Sequence, residues 1–434
     1  MKLKKLFYYF LSLSLFLSNT AFSKEKKSDV IFETKDKKTI NLYKNVEKIF
    51  SDVQKVRNLP VKRPVKIGIK TSKQVNDFLQ SNLKKDYPEK MIKKDYLLLK
   101  KLGLIQDGTD IKKLLLGAYT QQIAGFYDEK TQSLYVVNNK KELGELETSI
   151  VISHELVHSL QDQYFHIKDI VKRYEDSDKV LAKTALIEGE ATLASMQYII
   201  ENMGLKREFM PNLGNLMKAN MSNNSKMTQG IPEFLMEQMM FPYIDGTAFC
   251  EYVYKEKGSN WNKFNEVYKN PPESTEQILH PEKYLAKEKP VKVRVNPYFL
   301  NDWHWELLDY DTVGEFFLRN WMLEYLDEKE VKKATEGWGG DRYAFFSKNN
   351  NENIFVYKSI WDSNRDAVEF FDGIKDTLKL RYENNLHIEK ETKDTFFARS
   401  KEGYIYIKQK NKTVNFADGF NKKQIDKVFK YLNK

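Results

Sequence analysis

The residues best equipped for chemistry stand together at His154-Glu155-Leu156-Val157-His158. On a helix, residues four apart lie one above the other on the same face. Two imidazoles placed so can reach a single zinc ion at about 2.0–2.1 Å from each ring nitrogen. The carboxylate after the first histidine then points toward the open position of the metal, where it can take a proton from water. Histidine is scarce, six in 434 residues, so a chance pair at this spacing is rare.

A catalytic zinc needs a third protein ligand and keeps one position free. His166 is the nearest further histidine, but it falls where the helix is expected to end. The stronger candidates lie in Ala185-Leu186-Ile187-Glu188-Gly189-Glu190-Ala191-Thr192, two acids within an otherwise apolar helix. A buried carboxylate is costly unless it is paired or binds metal. Glu188 and Glu190 are about 200° apart around a helix, so only one can face the zinc, and periodicity does not choose between them. Gly189 is expected to let this helix approach the histidine helix. The acid that does not bind metal is expected to face a polar cleft or a partner of the ligands.

HELVH followed by a helix carrying EGEA resembles the gluzincins, whose third ligand is a glutamate on the next helix. The resemblance implies a zincin fold, zinc as cofactor and peptide-bond hydrolysis, with Glu155 as general base and Glu188 as third ligand. One branch of that group carries an Asp where Thr192 stands here. A wider resemblance spans most of residues 40–375, to poorly characterised exported bacterial proteins. It rests on GFYD…LYVVN, HELVHSLQDQYF, ALIEGEAT, PPESTEQILHPEKY and GWGGDRY.

Other residues are candidates for supporting roles. Gln161 or Asp162 can orient a ligand imidazole or cap the helix. A hydrolytic site needs a donor for the developing oxyanion, for which His280 is favoured over Tyr243 and Tyr284. Leu134 to Val137 is the candidate edge strand for an extended substrate backbone. Gly337 to Tyr343 (GWGGDRY) reads as a tight turn entering a strand. Cys250 sits on an apolar helix face and reads as plain core. His304 and His387 suggest no partner.

The elements that must position these residues follow from spacing. Helices are expected over residues 41–57, in two segments over 73–102 with Pro88 opening the second, and over 110–122, 147–163 and 179–201. Val65 to Ile69 reads as a strand, and residues 125–137 as a β-hairpin. Beyond residue 290 the pattern gives a helix at 311–326 and strands at 342–347 and 353–361. A helix at 364–380, three short strands and a final helix close the chain. The fold class is therefore α+β. A mainly helical zincin-like domain with a small mixed sheet (41–290) precedes a smaller α+β domain (291–434).

The N-terminus reads as export machinery. Lys2, Lys4 and Lys5 precede an apolar run from Leu6 to Leu17, and Ala21-Phe22-Ser23 is a small-x-small site. Residues 1–23 are thus expected to be a signal peptide and 24–40 a flexible linker, giving a periplasmic or secreted protein. A single cysteine excludes an internal disulfide. The net charge of +10 is spread over mixed acids and bases, which suits anionic surfaces without indicating nucleic acid. The expected partner is a peptide or protein substrate, and no membrane span is expected after signal cleavage. A zinc-stabilised envelope module without catalysis, or a zinc amidase on a non-peptide bond, are the competing functions.

Overall fold

The computed structural model describes residues 28–33, 45–122, 125–128, 131–138, 144–172, 174–206, 230–300, 304–348 and 352–432. The expected signal peptide and most of the expected linker lie outside them. The fold is α+β, largely helical in its first part and sheet-rich in its last.

Strands β1 (Val30–Phe32), β2 (Val65–Thr71), β3 (Gly125–Asp128) and β4 (Ser133–Asn138) form one mixed sheet in the order β1-β2-β4-β3. β1 and β4 run parallel to β2, and β3 is antiparallel to β4. Two expectations are corrected here. Residues 24–40 are not linker throughout, because Val30-Ile31-Phe32 is apolar enough to add a strand, with Val30 buried. β4 is not an edge, since it pairs on both sides; among the described residues the edges are β1 and β3.

The longer helices described in this part are α1 (Val46–Arg57), α2 (Ser72–Asp86), α3 (Glu89–Leu102), α4 (Ile111–Gln122), α5 (Glu145–Phe165), α6 (Ser177–Asn202) and α7 (Glu233–Glu256). One core joins α1, the sheet, α5, α6 and α7 through Phe50, Ile67, Leu134, Leu156, Leu186 and Phe249. α6 is buried along most of its length, as its alanines and aliphatics require. Its closest neighbour is α7. A Cβ on Gly189 would overlap the backbone of Gly246, and one on Gly246 would overlap that of Ala185. The glycine contact therefore brings α6 against α7 and not, as expected, against the histidine helix. Ala at position 189 would gain about 1 kcal/mol of helix propensity. The overlap is with backbone, which cannot swing aside, and overpacking of this kind costs about 1–3 kcal/mol. Gly189→Ala should thus lower the denaturation midpoint; a raised midpoint would show that the two helices separate freely.

The last part is a seven-stranded antiparallel sheet in the order β5-β6-β7-β11-β10-β9-β8. Its strands are β5 (Glu306–Asp311), β6 (Trp338–Lys348), β7 (Glu352–Trp361), β8 (His387–Glu391), β9 (Thr395–Ser400), β10 (Gly403–Lys410) and β11 (Thr413–Phe420). Helices α8 (Gly314–Leu323), α9 (Glu328–Thr335), α10 (Asn364–Tyr382) and α11 (Ile425–Leu432) flank it. In the GWGG stretch, Gly337 ends the expected turn at a φ of 82°, and Trp338 to Gly340 are already strand, with a bulge between Trp338 and Gly340. Its glycines admit a crossing segment, whose Val291 N–H donates to the Gly339 carbonyl at 2.7 Å.

The expected division at residue 290 does not separate two cores. Val75, Leu79, Leu98 and Leu102 of α2 and α3 share one core with Phe355, Phe370 and Phe416. Lys94 and Lys101 of α3 pair with Asp309 (2.8 Å) and Asp418 (2.9 Å) of the large sheet. The sheet also holds the start of α6. Arg342 donates twice to Asp176 (2.7 and 2.8 Å), and Asp311 accepts from the Ser177 backbone N–H (3.0 Å). The helix that carries Glu188 is thus fixed at its N-terminal end by the C-terminal half of the chain.

Candidate metal centre

α5 starts at Gly144, whose backbone N–H donates to the Glu147 side chain (2.8 Å). Ile152, Leu156, Val157 and Leu160 bury one side of the helix. That burial fixes the other side, which carries His154 and His158. α6 crosses it and presents Glu188. Nε2 of His154 lies 3.0 Å from Nε2 of His158, and each stands 3.3 Å from Oε2 of Glu188. Three donors bound tetrahedrally to one zinc at about 2.05 Å would be separated by about 3.3 Å. The donor set, two imidazoles and a carboxylate, also fits zinc. Among the described residues no fourth donor joins this group.

The electrostatics express the same convergence. Burial pushes the Glu188 carboxyl up, but the imidazoles of His158 and His154 outweigh it and hold the group at about 2. Burial pulls His158 down, while Glu188 and Glu155 lift it to about 10. The site as it stands is an ion pair whose proton a bound cation would have to displace.

Gln161 supports this arrangement. Its Oε1 stands 2.7 Å from Nδ1 of His158, and its Nε2 donates to the Ile187 carbonyl (2.9 Å), Glu190 (3.0 Å) and the Tyr268 hydroxyl (3.0 Å). With the amide nitrogen committed to donating, the oxygen accepts from Nδ1–H and leaves the His158 Nε2 lone pair for a metal. Asp162 does not share this role. It accepts from Arg63 (2.5 Å) and the Tyr127 hydroxyl (3.3 Å).

Glu155 Oε2 accepts the backbone N–H of Tyr127 (2.7 Å), so the edge strand β3 lies on α5. Gly125 makes that approach possible, because a Cβ there would press on Val151 at 2.9 Å. The Tyr243 ring of α7 lies 6.1 Å from the His154 ring. No curated protein matches the chain. A family model described as a domain of unknown function (DUF8575) matches residues 306–429. The matched segment runs from β5 into α11 and contains none of the three donors.

The other candidates fall elsewhere. His280 Nε2 meets Glu315 Oε1 at 2.9 Å. Burial pulls the pKa of His280 down, but Glu315, with Glu276 and Glu282, outweighs it and holds it above its ordinary value. Its segment is anchored where Thr275 Oγ1 donates to Asp178 (2.5 Å), about 15 Å along α6 from Glu188. His280, expected as the oxyanion donor, thus stands in an ion pair with Glu315 and is not in the donor group. The Tyr284 hydroxyl donates to the Asn270 carbonyl (2.8 Å). His166 caps α5 at a φ of 50° and is not in the donor group. Glu190 faces no cleft. It is fully buried against Arg57 and the Tyr268 hydroxyl. A second acidic trio, Glu276, Glu288 and Asp362, already surrounds the ammonium of Lys283 at 2.6, 3.0 and 2.6 Å, so it is a lysine site.

Arg57, Tyr268 and the Tyr127 backbone were not legible as parts of the site. Arg57 ends an ordinary amphipathic helix, and nothing in its neighbourhood marks a partner on α6.

Proposed function

We propose that this chain is an exported zinc-dependent peptidase of the gluzincin type with a zincin-like first domain. The observation that carries the reading is the meeting of His154, His158 and Glu188 with donor atoms 3.0–3.3 Å apart, beside Glu155. A structural zinc takes four protein ligands, whereas a catalytic one takes three and keeps a position open. When bound, zinc supplies a Lewis acid that polarises the scissile carbonyl and makes water a better nucleophile at neutral pH.

The chain's own residues supply the rest. Glu155 takes the proton of the attacking water at its carboxylate and delivers it to the leaving amine. The Tyr127 N–H holds that carboxylate in place. The edge of β3 offers its remaining backbone groups to the substrate backbone as an added strand. Tyr243, beside His154, is the donor placed to meet the developing oxyanion, in the role first assigned to His280. Export follows from the basic and apolar N-terminal run.

The test is a peptide-library digest with purified zinc-loaded protein. Glu155→Gln should keep its zinc and lose about 10²–10⁴-fold in cleavage rate, the usual contribution of general acid–base catalysis. Equal cleavage by both proteins would remove Glu155 from the mechanism. A zinc-loaded parent protein that cleaves no peptide would leave the amidase or non-catalytic reading.

A further inference from the structure

Six lysines line one hollow of about 500 Å³. Lys179 and Lys183 come from the first turns of α6, Lys257 follows α7, and Lys269, Lys287 and Lys289 come from the segment after it. Lys183 and Lys179 are about 140° and 180° around α6 from Glu188, so the hollow lies on the far side of the helix from the metal donors. None of the donors lines it.

Its charges are under-compensated. Glu175 serves both Lys183 (2.5 Å) and Lys179 (3.6 Å). Glu273 serves Lys179 (3.1 Å) and Lys289 (2.8 Å), and Glu266 serves Lys269 (2.8 Å). Lys257 and Lys287 have no carboxylate partner among the described residues. Three carboxylates thus face six ammonium groups. Lys183 is only 5% exposed, and burial lowers its pKa, with Lys179 and Lys172 adding to the effect. A multiply charged anion would relieve that repulsion.

The volume falls within the roughly 300–1,000 Å³ of small-molecule sites. The charge carriers are all lysines, which bind phosphate as point charges, and no arginine fork is present for a planar carboxylate. Val267, Pro271 and Leu285 add an apolar wall for an organic group. We infer that this hollow binds the phosphate of a small phosphate ester, at a site separate from the metal centre.

The probes are glycerol phosphate and pyrophosphate in calorimetry, and phosphatidylglycerol vesicles in flotation, all with the zinc-loaded full chain. Binding should weaken at least about tenfold in the Lys257→Gln/Lys287→Gln double variant and with rising salt. These two lysines hold no ion pair that folding needs, so zinc content and thermal midpoint should not change. Binding of the soluble probes alone assigns a free phosphate ester as the source, whereas vesicle binding that the double substitution abolishes assigns a lipid headgroup. The inference is overturned if no probe binds, or if parent and double variant bind equally. Because zinc content is read separately, this failure is distinguishable from failure of the peptidase reading.

Discussion

Glu188→Ala is expected to lower zinc affinity more than about 100-fold while the chain stays folded. Loss of a residue that merely supports a ligand costs about 10–100-fold, and loss of a ligand should exceed that. Among the described residues Glu188 is the carboxylate that meets both imidazoles, at 3.3 Å from each. Its removal leaves two nitrogens on one helix, which cannot close a three-donor set. His154→Ala and His158→Ala should do the same, and the parent protein should hold one zinc per chain. The measurement is metal content by elemental analysis, together with zinc release to a competing chelator, with circular dichroism as the folding control. His158 keeps its proton up to about pH 10 in the metal-free site. Zinc must expel that proton, so apparent affinity should weaken as pH falls. Unchanged zinc content in all three variants would mean that the metal, if bound, sits elsewhere.

The histidine pair and its helix were legible because a single local pattern encodes them. Four-residue spacing and an apolar stripe at Ile152, Leu156 and Leu160 fix both the helix and the face it shows. α6 was legible from its apolar run, but not which of its two acids turns toward the histidines; that depends on where α5 lies. The polar support was hidden because it is long-range. Arg57 and Glu190 are far apart in the chain, and neither has a neighbour that announces the pair. Gly189 was correctly marked as a point of close approach but given the wrong helix, since a glycine does not name its partner. β8 was missed because its five residues are all exposed, so no apolar alternation marks it. β3 and β4 were found as a hairpin, yet which of them is the edge was decided by β2 pairing parallel to β4.

Glu190→Ala is expected to destabilise the fold by about 3–5 kcal/mol, the usual cost of breaking a buried ion pair from one side. Arg57 and Glu190 are both fully buried. Burial lowers Arg57 and raises Glu190, and each offsets the cost to the other. The guanidinium also lies 3.9 Å over the Trp261 ring and donates to Asn265 (2.9 Å), contacts that keep it in place once its counter-charge is gone. An uncompensated cation would then remain inside the core that carries α1, α5 and α6. Of the two expectations for this acid, a polar cleft or a partner of the ligands, the contact with Gln161 matches the second. The contrast with Glu188→Ala is therefore one of kind: one variant loses metal and keeps its fold, the other loses stability first. Denaturant unfolding of the zinc-free proteins measures it without contribution from metal binding. Replacing both partners, Arg57→Met with Glu190→Leu, should restore much of the loss, because a buried pair exchanged for apolar groups of similar volume is often close to neutral. That double variant also isolates the role of Gln161, whose Nε2 keeps the Ile187 carbonyl and Tyr268 but loses Glu190. If it folds well yet binds zinc about 10–100-fold more weakly, Glu190 orients His158 through Gln161. An unchanged midpoint for Glu190→Ala would show instead that Arg57 reaches water when its partner is removed.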